Sequence, residues 1–165
     1  MLHYYYGNGK GKTSAAIGAC VRAAGQNLRC IVVQFLKNGT SGEITFLRAY
    51  PIPVLCCTFT GTKFFRDMTP SEQQAVIADH NRNLKQILNE QYDLIVLDEL
   101  TDALDRHAVD SALAEQILCK TGCEIIVTGH KAHPLLMNHA DYITEFRCIA
   151  HPFREGQPAR EGIEF

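Results

Sequence analysis

The stretch from residue 2 to residue 24 constrains the fold more than any other part of the chain. An apolar segment of strand length, Leu2–Tyr6, runs into a glycine-rich loop that opens an alanine-rich helix at Lys12–Ala24. The loop reads Gly7-Asn8-Gly9-Lys10-Gly11-Lys12-Thr13, followed by Ser14. Glycines reach backbone conformations closed to other residues, so successive N–H groups can converge on phosphate oxygens at the positive end of a helix. Lys12 adds a full positive charge, and the Thr13 hydroxyl is placed to ligate a magnesium ion bridging phosphate oxygens. Strand, loop and helix in this order predict a site for a nucleoside triphosphate with Mg2+. No Asn-Lys-x-Asp guanine-reading motif is present, which favours ATP over GTP. Tyr6 departs from the usual pattern, standing where such loops carry a leading glycine.

Further strand-length apolar runs occur at 30–35, 54–57, 94–97, 125–127 and 142–146, alternating with helix-like stretches. Ile31-Val32-Val33 and Leu94-Ile95-Val96-Leu97 are apolar at consecutive positions, as strands are when helices cover both faces of a parallel sheet. The expectation is an α/β layered fold in one domain spanning 1–165. Gly25 is read as the C-terminal cap of the first helix. Thr69-Pro70-Ser71-Glu72 starts another, with Thr69 and Glu72 forming a capping box, running to about residue 90. The segments 38–42 and 58–68 and the tail after His151 are expected to be irregular.

Leu97 is followed by Asp98 and Glu99, two carboxylates at the C-terminal end of an apolar strand, where ligands of open α/β sheets collect. There they are expected to hold Mg2+ opposite Thr13. A formal charge of -2 without a basic stripe argues against nucleic acid as a partner. No membrane-spanning run or leader-like start is seen, so a cytoplasmic protein is expected, its seven cysteines kept as thiols. Cys119 and Cys123 are read as a helix end and a strand start, and Cys56-Cys57 as strand residues facing opposite ways. His130, His133 and His139 are read as solvated, without zinc.

Taken together, the loop, Arg22-Ala23-Ala24-Gly25, Val32-Val33-Gln34-Phe35-Leu36-Lys37, Gly42-Glu43, Leu97-Asp98-Glu99-Leu100, Thr128-Gly129 and the closing Gly162-Ile163-Glu164-Phe165 resemble the ATP:corrinoid adenosyltransferases. The resemblance spans nearly the whole chain and is weakest between 40 and 89. It implies a P-loop NTPase-like (RecA-like), mostly parallel sheet and a homodimer with a flavoprotein reductase as candidate electron donor. The implied reaction transfers the 5'-deoxyadenosyl group of ATP to the cobalt of a reduced cobalamin or related corrinoid, releasing triphosphate whole. By the same likeness Gly7 to Ser14 hold the nucleotide, with Lys12 also serving catalysis. Thr13, Glu99 and Asp98 hold the magnesium, and Arg22 lies near the nucleotide. Aromatic side chains beside the corrin remove the lower axial ligand of cobalt in such enzymes. The corresponding segment here is Gly61-Thr62-Lys63-Phe64-Phe65-Arg66, and since the chain lacks tryptophan, Phe64 or Phe65 takes that part, with Phe64 favoured.

Three features depart from the family. Only Met1 and Leu2 precede His3, where members often carry an extension that helps cover the corrinoid; His130 stands where arginine is usual; and the tryptophan is missing. Two other readings stay open on the residues alone: a P-loop ATPase or phosphotransferase, and an ATP-dependent binding or regulatory module without transfer activity.

Overall fold

A computed structural model describes residues 1–59, 63–152 and 156–163. Gly61, Thr62, Glu164 and Phe165, named above for the family likeness, lie outside these residues. Six strands form one sheet: β1 (Leu2–Tyr6), β2 (Cys30–Gln34), β3 (Val54–Leu55), β4 (Leu94–Asp98), β5 (Glu124–Gly129) and β6 (Tyr142–Glu145). All pairings are parallel, in the order β3-β2-β4-β5-β1-β6. The loop strand β1 and the carboxylate strand β4 are therefore separated by β5, whose C-terminal end lies between the two halves of the predicted site.

The consecutive apolar residues point alternately to two cores, because strand side chains have a period of two. Ile31 and Val33 of β2, Ile95 and Leu97 of β4, and Ile125 and Val127 of β5 join one buried cluster. Val32, Val96 and Ile126 join the other. Helices α1 (Lys12–Ala24) and α2 (Gly42–Arg48) cover the second cluster through Ala16, Ile17, Cys20, Ile44 and Leu47. The first is covered by α3 (Pro70–Asn89), α4 (Leu100–Asp105), α5 (Ser111–Leu118) and α6 (Pro134–His139), which contribute Leu84, Ile87, Leu100, Ala103, Ile117 and Leu136. The result is the expected three-layer α/β fold with helices on both faces of a parallel sheet.

Several local expectations are met and others corrected. The Thr69–Glu72 capping box forms in full, with Pro70 in the first turn of α3. Gly25 does end α1, but in right-handed conformation (φ -63), and the left-handed turn falls to Asn27 at φ 61. The segment 38–42 is irregular only as far as Ser41, since Gly42 begins α2. Cys56 and Cys57 lie beyond β3 rather than in it: the ladder stops at Val33–Leu55, after which the Cys57 N–H donates to the Lys37 carbonyl at 3.3 Å. Cys119 caps α5 and Cys123 is buried just before β5, as read. Among the described residues no helix is long and apolar enough to cross a membrane.

Candidate active site

The glycine-rich loop leaves β1 and is wedged against the end of β6. Gly7 has φ +115, and a Cβ there would lie 2.3 Å from the Phe146 carbonyl oxygen; at Gly9 it would lie 2.7 Å from the Phe146 carbonyl carbon. No other residue fits either position without moving backbone. The Gly9 N–H donates to the Phe146 carbonyl at 2.7 Å, and Asn8 Oδ1 accepts from the Cys148 N–H at 2.9 Å. Gly11, at φ 106, turns the chain into α1. Lys12 is buried and its Nζ donates to the Gly9 carbonyl at 2.8 Å, so the ammonium is folded back across the mouth of its own loop. Burial pulls the Lys12 pKa down, against the pull of Asp102, Glu99 and Asp98 in the other direction.

Asp98, at the end of β4, is fully buried, and each of its oxygens is engaged. Oδ1 accepts from Thr13 Oγ1 and Thr128 Oγ1, each at 2.8 Å; Oδ2 accepts from Lys37 Nζ at 2.9 Å and Gln34 Nε2 at 3.3 Å. Two strands, the first turn of α1 and the loop after β2 thus deliver donors to one carboxylate: Gln34 ends β2, Thr128 lies near the end of β5, Thr13 is in α1 and Lys37 follows β2. Glu99 follows in the left-handed region (φ 62), which non-glycine residues seldom adopt and which recurs at functional sites. Its N–H donates to Thr128 Oγ1 at 2.8 Å and its carboxylate pairs with Lys37 at 3.0 Å. Burial raises the Glu99 pKa against the opposing charge of Lys37. Lys37 itself is held as an ammonium: burial would lower its pKa, but Asp98 and Glu99 outweigh it and raise it.

Asn8 to Ser14, Gln34, Lys37, Glu99 and Thr128 line one cleft of about 980 Å³, at the upper end of the range for small-molecule sites. Its walls run from the loop across Gln34, Lys37 and Glu99 to Ser41 and Glu43, and on to Phe64, Phe65, Met68, His151 and Ile163.

The chain matches, over residues 1–165, the family described as ATP:corrinoid adenosyltransferase BtuR/CobO/CobP. It belongs to that family. The corrinoid adenosyltransferase of Pseudomonas aeruginosa is 33% identical over 175 residues, an alignment covering 100% of this chain and 83% of that one. The corrinoid adenosyltransferase CobA of Salmonella typhimurium is 34% identical over 174 residues, covering 100% and 85%. Among solved structures, domain III of the Thermotoga maritima replication initiation protein DnaA gives a TM-score of 0.42 at 13% identity, covering 88% of this chain and 54% of that one. That last likeness is too loose to bear on chemistry.

Most of the residues singled out for this family converge. Asn8 through Ser14, Glu99, Phe64 and Phe65 line the cleft, and Asp98 is buried beneath it. Gly7 holds the loop's turn behind the cleft wall. The structure separates the two phenylalanines: Phe64 is 71% exposed, while Phe65 packs against the main core. Phe64 is therefore the more accessible ring, with the Arg66 guanidinium over it at 5.6 Å from the ring centre. Arg22 is not brought to the cleft of this chain. It sits ten residues past Lys12, about 15 Å along α1 at the usual helical rise, and the lining stops at Gly18.

Five side chains to which the sequence reading gave no specific role join the site, although four of them stand in or beside the family motifs. Gln34, Lys37 and Thr128 end β2 and β5 or follow them, at the same sheet edge as Asp98; polar residues closing apolar strands were the available signal. The others are Asp102 and His130. His130 Nδ1 and its N–H both lie 3.0 Å from Asp102 Oδ2, and that hydrogen bond raises the His130 pKa against partial burial. Where the sequence reading left His130 solvated, its ring is half exposed but tied to a buried acid and lines the cleft. His133 lies 3.9 Å from Asp105, and His139 Nδ1 lies 2.8 Å from the Leu135 carbonyl.

The donor set suits a magnesium ion. The oxygens of Thr13, Asp98 and Glu99 are hard ligands, the kind Mg2+ selects. The ammonium of Lys37 between two carboxylates shows that a cation is stable at this spot, and Gln34 Oε1 is buried there without a hydrogen-bond partner. Among the described residues no cluster of three or more His, Cys, Asp or Glu forms a ready-made cage, so phosphate oxygens and water would complete the sphere.

Proposed function

We propose that this chain transfers the 5'-deoxyadenosyl group of ATP to the cobalt of a reduced corrinoid, releasing triphosphate. The observation that carries this reading is one shared cleft. One end is a phosphate cradle, and the other presents an exposed aromatic ring, Phe64, within the same walls.

The lining contains no activated nucleophile. Cys57 is the only thiol in it among the described residues, and burial pushes its pKa up to about 12, leaving it protonated and inert. That suits a reaction in which the nucleophile arrives on the substrate. Cobalt(I) supplies an electron pair to the ribose 5'-carbon, the carbon–oxygen bond breaks, its pair leaves with triphosphate, and cobalt ends formally at +3. The protein's part is to orient and to stabilise charge. The loop N–H groups from Gly11 to Thr13, with the Lys12 ammonium, receive the growing negative charge on the leaving group. Magnesium held by Thr13, Asp98 and Glu99 would neutralise the same charge. Phe64 would lie beside the corrin and disfavour the lower axial ligand, while Phe65 anchors its loop to the core. A homodimer, a flavoprotein electron donor and a cytoplasmic setting belong to the same reading.

The test is an anaerobic assay with chemically generated cob(I)alamin, ATP and Mg2+, following adenosylcobalamin and the phosphate product together. Adenosylcobalamin with intact triphosphate is expected. ADP and orthophosphate without adenosylcobalamin would replace this reading with hydrolysis.

A further inference from the structure

Lys37 occupies a place that a metal ion needs. Its Nζ lies 2.9 Å from Asp98 Oδ2 and 3.0 Å from Glu99 Oε1, bridging the two acids proposed to hold magnesium. The backbone around it is anchored on both sides. The Leu36 N–H, at a residue with φ 59, donates to His80 Nε2 at 3.1 Å, and the Lys37 carbonyl accepts from the Cys57 N–H at 3.3 Å. His80 is fully buried and its Nδ1 bonds the Ala108 carbonyl at 2.8 Å, so the anchor is fixed from the core. Only the Lys37 side chain, about a third exposed on the cleft wall, is left able to move.

We propose that Lys37 is a displaceable internal cation that keeps free divalent metal out of the site until triphosphate arrives with it. Lys37 pairs with Asp98 and Glu99, and Lys12 places a second positive charge in the field of those two acids and Asp102. A bare divalent ion entering there meets two ammonium groups and must displace one from a buried pair. A magnesium–triphosphate complex carries net negative charge, so it is drawn by the same lysines, and Lys37 can release the carboxylates to the metal without being left unpaired. The order of loading is thereby set: metal enters with the nucleotide and not before it. This rests on the metal assignment made above, and the experiment separates the two.

The measurement is a titration of the full chain with Mn2+ alone, following the free-ion EPR signal, with no nucleotide present. Lys37→Met is expected to bind Mn2+ at least about tenfold more tightly than the wild type, because an ammonium within Coulombic reach of the ion is gone. Lys37→Arg keeps the charge and is expected to stay at wild-type affinity. Lys37→Gln, which retains an N–H donor for the carboxylates, shows the same gain as Lys37→Met and stands in if that variant does not fold. Adding Asp98→Asn to either neutral variant is expected to remove the gain. Equal Mn2+ affinity in the wild type and the neutral variants would overturn the displacement, while Mn2+ binding with tripolyphosphate that is lost in Asp98→Asn would leave the metal site standing. If Asp98→Asn changes Mn2+ binding under neither condition, the metal site and the proposal fall together.

Discussion

Two buried or half-buried histidines of this chain titrate in opposite senses, and their environments say which does which. His80 donates from Nδ1 to Ala108 and accepts at Nε2 from Leu36, with the Cys57 sulfur 2.9 Å away. Burial lowers its pKa, against the Ala108 carbonyl and the charge of Asp79. An unfolded histidine titrates near about 6.5, so as pH falls below that value the unfolded chain takes a proton that folded His80 refuses, and stability drops. His130 runs the other way. Its bond to Asp102 raises its pKa, so its contribution is full below about 6.5 and fades as pH rises through the raised value. Urea unfolding across a pH series should show His80→Gln with a flatter acid-side loss between about pH 7 and 5. His130→Gln should flatten the decline on the alkaline side of the unfolded value. Parallel pH profiles for wild type and His80→Gln would show that the imidazole is not held neutral. The adjacent phenylalanines make a second residue-scale contrast. Phe65→Ala should cost about 2 kcal/mol, the low end of core truncations, because Phe65 is only partly buried against the core. Phe64→Ala should change stability by less than about 0.5 kcal/mol, as exposed substitutions do, while raising the KM for corrinoid. A Phe64→Ala variant with unaltered corrinoid kinetics would remove that residue from the site. Sequence alone set these two neighbours side by side without ranking them by burial, because the exposure of each depends on α3, whose Gln73 donates to the Phe65 carbonyl at 2.9 Å.

At the scale of elements, α3 is pinned at both ends. Its capping box fixes one end, and Lys120, from the turn before β5, fixes the other by donating to the carbonyls of Ile87, Leu88 and Glu90 at 2.9, 3.2 and 2.9 Å. The last turn of α3 has no basic residue of its own, so an ammonium from elsewhere satisfies its free carbonyls. Lys120→Met should therefore destabilise the fold by about 1–2 kcal/mol, measured by chemical denaturation. A loss within a few tenths would mean that water serves those carbonyls equally well. Between these ends, Asp79, His80 and Asn83 form a buried polar stripe. Asp79 Oδ2 accepts from the N–H and hydroxyl of Thr58 at 2.7 and 2.5 Å, and Asn83 Nδ2 donates to the Cys56 carbonyl at 3.3 Å. This grip stops β3 after two residues and carries the chain into the loop bearing Phe64. The six strands were legible because each is an apolar run bounded by turn residues. The capped helix α3 was legible from Thr69, Pro70 and Glu72. The short helices α2, α4 and α6 were not, and of α5 only its end at Cys119 was: they span one to two turns, too few for periodicity to register, and tertiary packing holds them. The loop and the Asp98-Glu99 pair could be read because each is contiguous. Lys37, Gln34, Thr128 and the Asp102–His130 pair could not, since their meaning arises only when three strand ends meet.

For the whole molecule, the sheet order puts function and stability on one edge. The Thr13 hydroxyl after the nucleotide loop bonds Asp98 directly, while β5 lies between β1 and β4 and its Thr128 bridges to Asp98 and Glu99 at the acidic strand end. Gly129, next in sequence, lets α4 press against that bridge, since a Cβ there would come within 1.6 Å of Thr101 Oγ1. A ligand that joins the loop to Asp98 therefore spans the sheet and both helical layers, and should stabilise the fold as a unit. At a concentration of one hundred times its Kd, ATP with Mg2+ should add about 2.7 kcal/mol by mass action. For a domain of this size that corresponds to a rise in Tm of about 5–11 °C. Lys12→Ala removes the ammonium from the loop and should abolish the shift; Asp98→Asn should reduce it most when Mg2+ is present and little when it is chelated. A full shift in Lys12→Ala would mean that the nucleotide binds elsewhere, and the cleft would lose its claim to the phosphate. A shift lost in Lys12→Ala but untouched by Asp98→Asn would keep the loop and detach the metal from β4, so one thermal series tests both halves of the site.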